Sequence, residues 1–172
     1  MTSSNGEMRS IFLTGLKNAH AMENQALSIM RPQLERIENY PQVAEKLRQH
    51  IAETEAQEKR LEELLSAMDE SPSILKDTAL SLGGTMAALG HSVAVDEIIK
   101  NSIANFAFEN YEIAAYTSLL ALSDAAADAR ATSLLEQNLR EEQNMAQWLA
   151  DNLPSVTLRF VELREAGETS KI

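Results

Sequence analysis

Phe106-Ala107-Phe108-Glu109-Asn110-Tyr111-Glu112-Ile113-Ala114-Ala115-Tyr116 sets two glutamates within an apolar helical pattern. Ile99, Ile103, Phe106, Glu109, Ile113, Tyr116 and Leu120 step by three and four, the spacing of one helix face. That line predicts a helix from about Val95 to about Leu122. A glutamate on a core line is costly unless a cation or a proton compensates it. Glu109 and Glu112 are spaced i, i+3 and share a face. Two like charges that close are favoured where a cation sits between them.

The same irregularity recurs along the chain. A first helix, predicted from about Met8 to about Ile37, has the line Phe12, Leu16, Ala19, Glu23, Ala26, Met30, Leu34 and Ile37. The small neighbours of Glu23 leave room for an ion or waters. Pro32 predicts a kink or a break near Arg31. Another helix carries Leu135, Leu139, Glu142, Ala146 and Leu149. Between these, a helix opening at Pro41 and running to about Met68 is apolar at both ends and polar at its waist, where it offers His50, Glu53, Thr54 and Gln57. Glu53 is the preferred carboxylate donor there; His20, three residues before Glu23, reads as a surface residue or as support for a ligand. Four helices each offering an inward carboxylate form the pattern of a carboxylate-bridged di-iron or di-manganese site. The candidate ligands are Glu23, Glu53, Glu109, Glu112 and Glu142. The bland alternative is an acidic bundle whose carboxylates are structural, protonated or wet.

The expected fold is all-α: an antiparallel four-helix bundle, one domain over residues 8–165. Ser71-Pro72, Gly83-Gly84, Thr85–Leu89 and Gly90 suggest a long crossover with some helix of its own between main helices 2 and 3, and His91 within it has no obvious partner. Ser123-Asp124 reads as a break and cap before the fourth helix. Pro154 should end that helix, with Ser155 capping a short C-terminal one. Residues 1–7 and 167–172 read as flexible ends.

Composition narrows the function. The chain has 172 residues, enough for one sizeable core, and few Gly and Pro. A net charge of -11 argues against binding nucleic acid phosphates or an anionic membrane surface. With no cysteine, disulfides, thiolate catalysis and zinc–cysteine sites are excluded. No secretory signal and no apolar stretch of the roughly 18–20 residues that span a bilayer is visible, so a cytoplasmic protein is expected. Neither a phosphate-cradling glycine loop nor a Ser-His-acid constellation stands out.

Phe108–Tyr116, His50-Ile51-Ala52-Glu53-Thr54 with Arg60-Leu61-Glu62, and Glu141-Glu142 resemble the YciF/YciE-type stress proteins, a bacterial family of the ferritin-like superfamily. The resemblance spans about residues 8–165. It implies an antiparallel four-helix bundle with an extra helix or two, usually a homodimer, and a family whose activity is poorly defined; a catalytic carboxylate-bridged metal site in such a bundle would oxidise iron or reduce peroxide. Iron is the implied metal, two ions, with manganese or a single ion as alternatives. The wider superfamily, rubrerythrin included, uses one Glu on the first helix, Glu-x-x-His on the second, one or two Glu on the third and Glu-x-x-His on the fourth. Glu23 matches the first, Glu109 and Glu112 the third. Thr54 and Gln57 stand where the second helix would supply Glu and His, and Met145 lies three residues after Glu142. The rival is a non-enzymatic, dimeric helical stress protein with a vestigial site.

Overall fold

A computed structural model describes residues 2–69 and 94–172, with side chains from Gly6 onward. Four helices account for most of them: α1 (Thr2–Arg36), α2 (Pro41–Ala67), α3 (Glu97–Ala125) and α4 (Ala129–Glu165). Among the described residues there is no strand, and no helix is long and apolar enough to cross a membrane. The features expected between Ser71 and His91 lie outside the described residues.

Cross-helix contacts fix the topology. Along α1, Glu23, Gln33 and Arg36 meet Tyr116, Asn105 and Glu97 of α3, so these two helices run in opposite directions. Arg31 meets Glu55 and Arg9 meets Met68, so α1 and α2 are antiparallel. Gln57 meets Glu142, while Glu63 meets Arg130 on an earlier turn of α4, which makes α2 and α4 antiparallel. Round the bundle the order is α1, α2, α4, α3. It follows that α2 and α3 are parallel and diagonal. The 27 residues of α2 span roughly 40 Å, so the end of α2 and the start of α3 lie at opposite ends of the bundle. A parallel, diagonal second and third helix is the ferritin-like arrangement.

Local sequence explains most boundaries and corrects several expectations. Pro41 opens α2, where its missing N–H costs nothing. The first helix begins at Thr2, earlier than Met8, and passes through Pro32 to Arg36. Likewise α4 is continuous through Pro154, so the separate C-terminal helix does not exist. A proline forfeits one backbone bond and strains its turn, but a long helix packed on both sides tolerates this. Ser123 and Asp124 lie inside α3, and the cap of α4 is Asp128, whose side chain accepts from Ala131 N at 3.0 Å. In that tight turn Ala127 is left-handed, φ +55°, a conformation that costs an L-residue roughly 1–2 kcal/mol. Ala127→Gly is expected to stabilise the protein by about 0.5–1 kcal/mol, read as a rise in thermal midpoint of a few degrees.

The C-terminal residues, expected to be flexible, dock instead. Gly167, φ +73°, ends α4 in a Schellman motif, with Glu168 N donating to Leu163 O and Gly167 N to Arg164 O. The tail then crosses the end of the bundle. Ile98 N donates to Lys171 O at 2.9 Å, and Tyr40 OH donates to Ser170 O at 2.6 Å. Lys171 and Arg36 both pair with the buried Glu97. Beneath them lies a small core of Tyr40, Val43, Ile98, Val156 and Leu163. The main core fills the rest of the bundle and includes Phe12, Leu16, Leu47, Leu61, Leu119 and Leu135.

Candidate metal centre

Midway along the main core the apolar packing gives way to acids. The buried face of α3 differs from the apolar line read in the sequence. Ile103 is half exposed, whereas Ile98, Asn101, Asn105, Phe108, Glu109, Glu112, Tyr116 and Leu119 are buried. Polar residues occupy several inward positions, so counting apolar ones rotates the stripe by about one residue. Glu109, Glu112 and Tyr116 stay inward all the same. On α2 the polar waist is buried: His50, Thr54 and Gln57 are each at most 1% exposed. Glu23 of α1 and Glu142 of α4 complete the ring.

His50, Glu109, Glu112 and Glu142 each offer a ligand atom, all within 4.8 Å of one another. His50 Nε2 lies 3.1 Å from Glu109 Oε2 and 3.4 Å from Glu142 Oε2. Of the buried atoms in this cluster, His50 Nε2, Glu109 Oε2, Glu112 Oε1 and Glu142 Oε2 have no hydrogen-bond partner. Buried polar atoms are rarely left so. One from each of four side chains, converging on one point, fits a cation.

Glu23 stands beside this quartet. Its Oε1 accepts a hydrogen bond from Tyr116 OH, which in turn accepts from Asn138 Nδ2 at 3.0 Å. Arg60 donates to Asn138 Oδ1 and grips Glu141 with two nitrogens, at 2.8 and 2.9 Å. Gln57 Nε2 donates to Glu142 Oε1 and to Glu141 Oε2. These partners orient the acids from behind, as the outer groups of metal sites do. Glu53, the preferred donor on α2, is not among the converging groups. It is partly exposed, accepts from Gln49, and lies 3.2 Å from His50 Nδ1. An ionised carboxylate can only accept, so Nδ1 carries the proton and Nε2 is turned to the cluster.

The electrostatics follow from burial. Burial pushes the Glu23 carboxyl well up, assisted by the charge of Glu142. Burial does the same to Glu112, with Glu142, Glu23 and Glu109 adding repulsion. Glu109 is pushed up to about 8 by burial, against the pull of His50. Burial alone would lower His50, yet the carboxylates of Glu109, Glu142 and Glu53 outweigh it and hold it well above its ordinary value. Glu142 is equally buried but is held down by His50 and Gln57. Glu53 is lowered chiefly by His50. Burial thus favours protons on Glu23, Glu109 and Glu112, while His50 and Glu142 favour each other's charged form. Protons and metal ions compete for the same lone pairs.

Of the sequence-derived ligands, the fold brings Glu109, Glu112 and Glu142 together, sets Glu23 alongside, and puts Glu53 behind His50. The inward donor on α2 is His50 in place of Glu53. Its signal was position: it falls one turn after Leu47 and one turn before Thr54 on the buried line. The positions where the superfamily has histidines are filled by Gln57, which holds Glu142, and Met145, which is core.

Comparison with known proteins agrees with this architecture. A protein from Xanthomonas campestris pv. campestris superposes with a TM-score of 0.77 at 28% identity, covering 92% of this chain and 99% of its own. The Escherichia coli stress protein YciF superposes with a TM-score of 0.72 at 20% identity, covering 85% and 94%. YcfI from Rhodopseudomonas palustris gives 0.65 at 22%, covering 83% and 92%. Residues 7–162 match the family described as a domain of unknown function, DUF892. The chain belongs to that family, and its fold is the YciF-like, ferritin-like bundle.

Proposed function

We propose that this is a cytoplasmic stress protein whose buried cluster binds divalent iron, two ions at full occupancy. The observation that carries the proposal is that His50, Glu109, Glu112 and Glu142 converge in the core, each with a buried atom that has no hydrogen-bond partner. Charge favours two ions over one. Glu23, Glu109, Glu112 and Glu142 carry four negative charges when ionised, and two divalent cations neutralise them beside a neutral His50. Carboxylates with one imidazole and no thiolate suit ferrous iron or manganese. The role in stress is proposed by analogy with the Escherichia coli stress protein YciF, which shares the fold.

Bound ferrous iron would supply the electrons for reducing dioxygen or peroxide, the iron being the substrate oxidised. The chain's residues hold the acids in place and exclude bulk water: Glu53 aims His50, Gln57 fixes Glu142, and Tyr116 fixes Glu23. Stopped-flow absorbance after mixing ferrous-loaded protein with dioxygen, and separately with peroxide, tests this. Oxidation at least about tenfold faster than for iron in buffer, lost in Glu109→Ala/Glu142→Ala, is expected. Rates equal to buffer for both oxidants overturn the redox assignment.

One observation favours a second reading, a structural protein without chemistry. Protons alone can neutralise Glu23, Glu109 and Glu112. In that case Glu109→Gln leaves every property but a slightly higher stability unchanged.

We further propose a homodimer through the α1/α3 face. Ile11 and Tyr111 are half exposed there and flank a groove of about 390 Å³ with Met22 and Leu119 in its lining and Ser10, Thr14, Asn18 and Ser118 also lining it. Sedimentation should give a dimer that Ile11→Glu/Tyr111→Glu converts to monomer while the helical circular dichroism is kept. A wild-type monomer at micromolar concentration contradicts this.

A further inference from the structure

A second imidazole–carboxylate cluster lies outside the core, between α1 and α2. His20, which the sequence placed at the surface or behind a ligand, is only 7% exposed. Its Nε2 points between Glu58 Oε1 and Glu62 Oε1, 3.6 Å from each. Glu58 and Glu62 are i, i+4, so one face of α2 stacks them a turn apart. The antiparallel crossing of α1 brings His20 against that face. The three ligand atoms lie within 4.8 Å of one another.

Two features separate this cluster from an ordinary acidic patch. First, His20 Nε2 is buried and has no hydrogen-bond partner. A separation of 3.6 Å is too long for an N–H···O bond. Second, the spacing suits a shared ion. Nitrogen and oxygen donors about 2.1 Å from a tetrahedral metal stand about 3.4 Å apart, close to both observed edges. The site also has an open side, because Glu58 and Glu62 are 26% and 44% exposed. Water can fill a fourth position there, and an ion can enter without disturbing the bundle.

We propose that His20, Glu58 and Glu62 form an outer site for a divalent first-row transition metal, completed by solvent. It uses none of the core ligands. His20 lies three residues before Glu23, and Glu58 directly follows Gln57, so the site borders the core cluster on its outward side. Asn24 is the switch that binding requires. Its Nδ2 donates to His20 O at 2.9 Å and lies 3.3 Å from Nδ1, an arrangement that leaves the ring proton on Nε2. Ligation through Nε2 moves that proton to Nδ1, and the exposed Asn24 amide turns over to accept it through Oδ1. One carboxamide thus sets which nitrogen is free.

Zinc serves as the probe, titrated calorimetrically into the full chain at neutral pH, with the histidine ring resonances followed by NMR. The expected result is one zinc per chain, in addition to any zinc taken up by the core cluster, whose binding shifts the His20 ring signals. Glu62→Gln and His20→Ala should each weaken that event at least tenfold, whereas Glu109→Gln should leave it intact. Glu62 is exposed enough for its amide variant to fold as the parent does, and a thermal melt verifies this. Zinc binding that Glu62→Gln leaves unchanged overturns the proposal. So does zinc binding abolished by Glu109→Gln alone, which would assign every ion to the core. A Glu62-dependent event with no Glu109-dependent one keeps the outer site, and iron stoichiometry then decides the core reading separately.

Discussion

The metal-free protein is expected to lose a few kcal/mol of stability between about pH 5 and pH 9. Glu109 keeps its proton in the fold up to about 8, while the unfolded chain releases it near about 4.3. Between those values the folded state binds more protons, so stability falls as pH rises. A shift of this size corresponds to a few kcal/mol. Glu23 and Glu112 are raised by the same burial and act in the same direction. His50 is also raised, so its contribution is present below its unfolded pKa and lost as pH passes the folded one. The lowered Glu142 and Glu53 act oppositely, but their stabilisation is lost only as pH drops below the ordinary carboxylate range. Urea unfolding with chelator present, at several pH values, measures the slope. Divalent iron under anaerobic conditions should reverse it, because the acids that release protons become ligands. At about a hundred times its dissociation constant one such ion adds about 2.7 kcal/mol. Stability that is flat or rising across this window without metal contradicts the assignment of the protons.

Two substitutions in the same ring should move stability in opposite directions. His50→Ala strips the partner from Glu142 and opens a space in the core. It should destabilise the metal-free protein by about 3–5 kcal/mol, as breaking a buried ion pair does. Glu112→Gln replaces a proton-holding carboxyl by a neutral amide of similar shape, in a place where burial and three neighbouring acids oppose ionisation. It should be neutral to stabilising by about 1–2 kcal/mol at pH 8. Both should weaken iron binding at least tenfold. Chemical denaturation paired with equilibrium iron titration separates these effects. Equal destabilisation by both variants would mean that Glu112 is an ionised, paired group and that the charge assignment is wrong.

The bundle was legible because three of its helices carry clean three-and-four periodicity. On α2 both the apolar ends and, in His50, Thr54 and Gln57, the polar waist face inward. Glu23, Glu109, Glu112 and Glu142 were visible because a carboxylate on such a line violates the pattern. What the sequence obscured has local causes. On α3, inward Asn101, Ser102 and Asn105 broke the apolar count, so Ile103 looked buried when it faces out. Pro154 and Pro32 looked like stops, but tertiary packing on long helices outweighs one missing hydrogen bond. The tail looked like a frayed end because its docking rests mostly on the Ser170 and Lys171 carbonyls, which accept from Tyr40 and Ile98, and a single Lys171–Glu97 pair leaves no periodic pattern. His50 and Glu53 were ranked by ligand type, when helical phase decided between them.

The most direct test of the central claim is iron stoichiometry. Untagged protein is purified without chelator, reloaded with ferrous iron under anaerobic conditions, desalted and analysed by elemental mass spectrometry. Near two core irons per chain, lost in Glu109→Ala/Glu142→Ala but kept in Glu62→Gln, is the result predicted. No stoichiometric iron in the wild-type protein would contradict it and leave the cluster a set of buried acids held by protons.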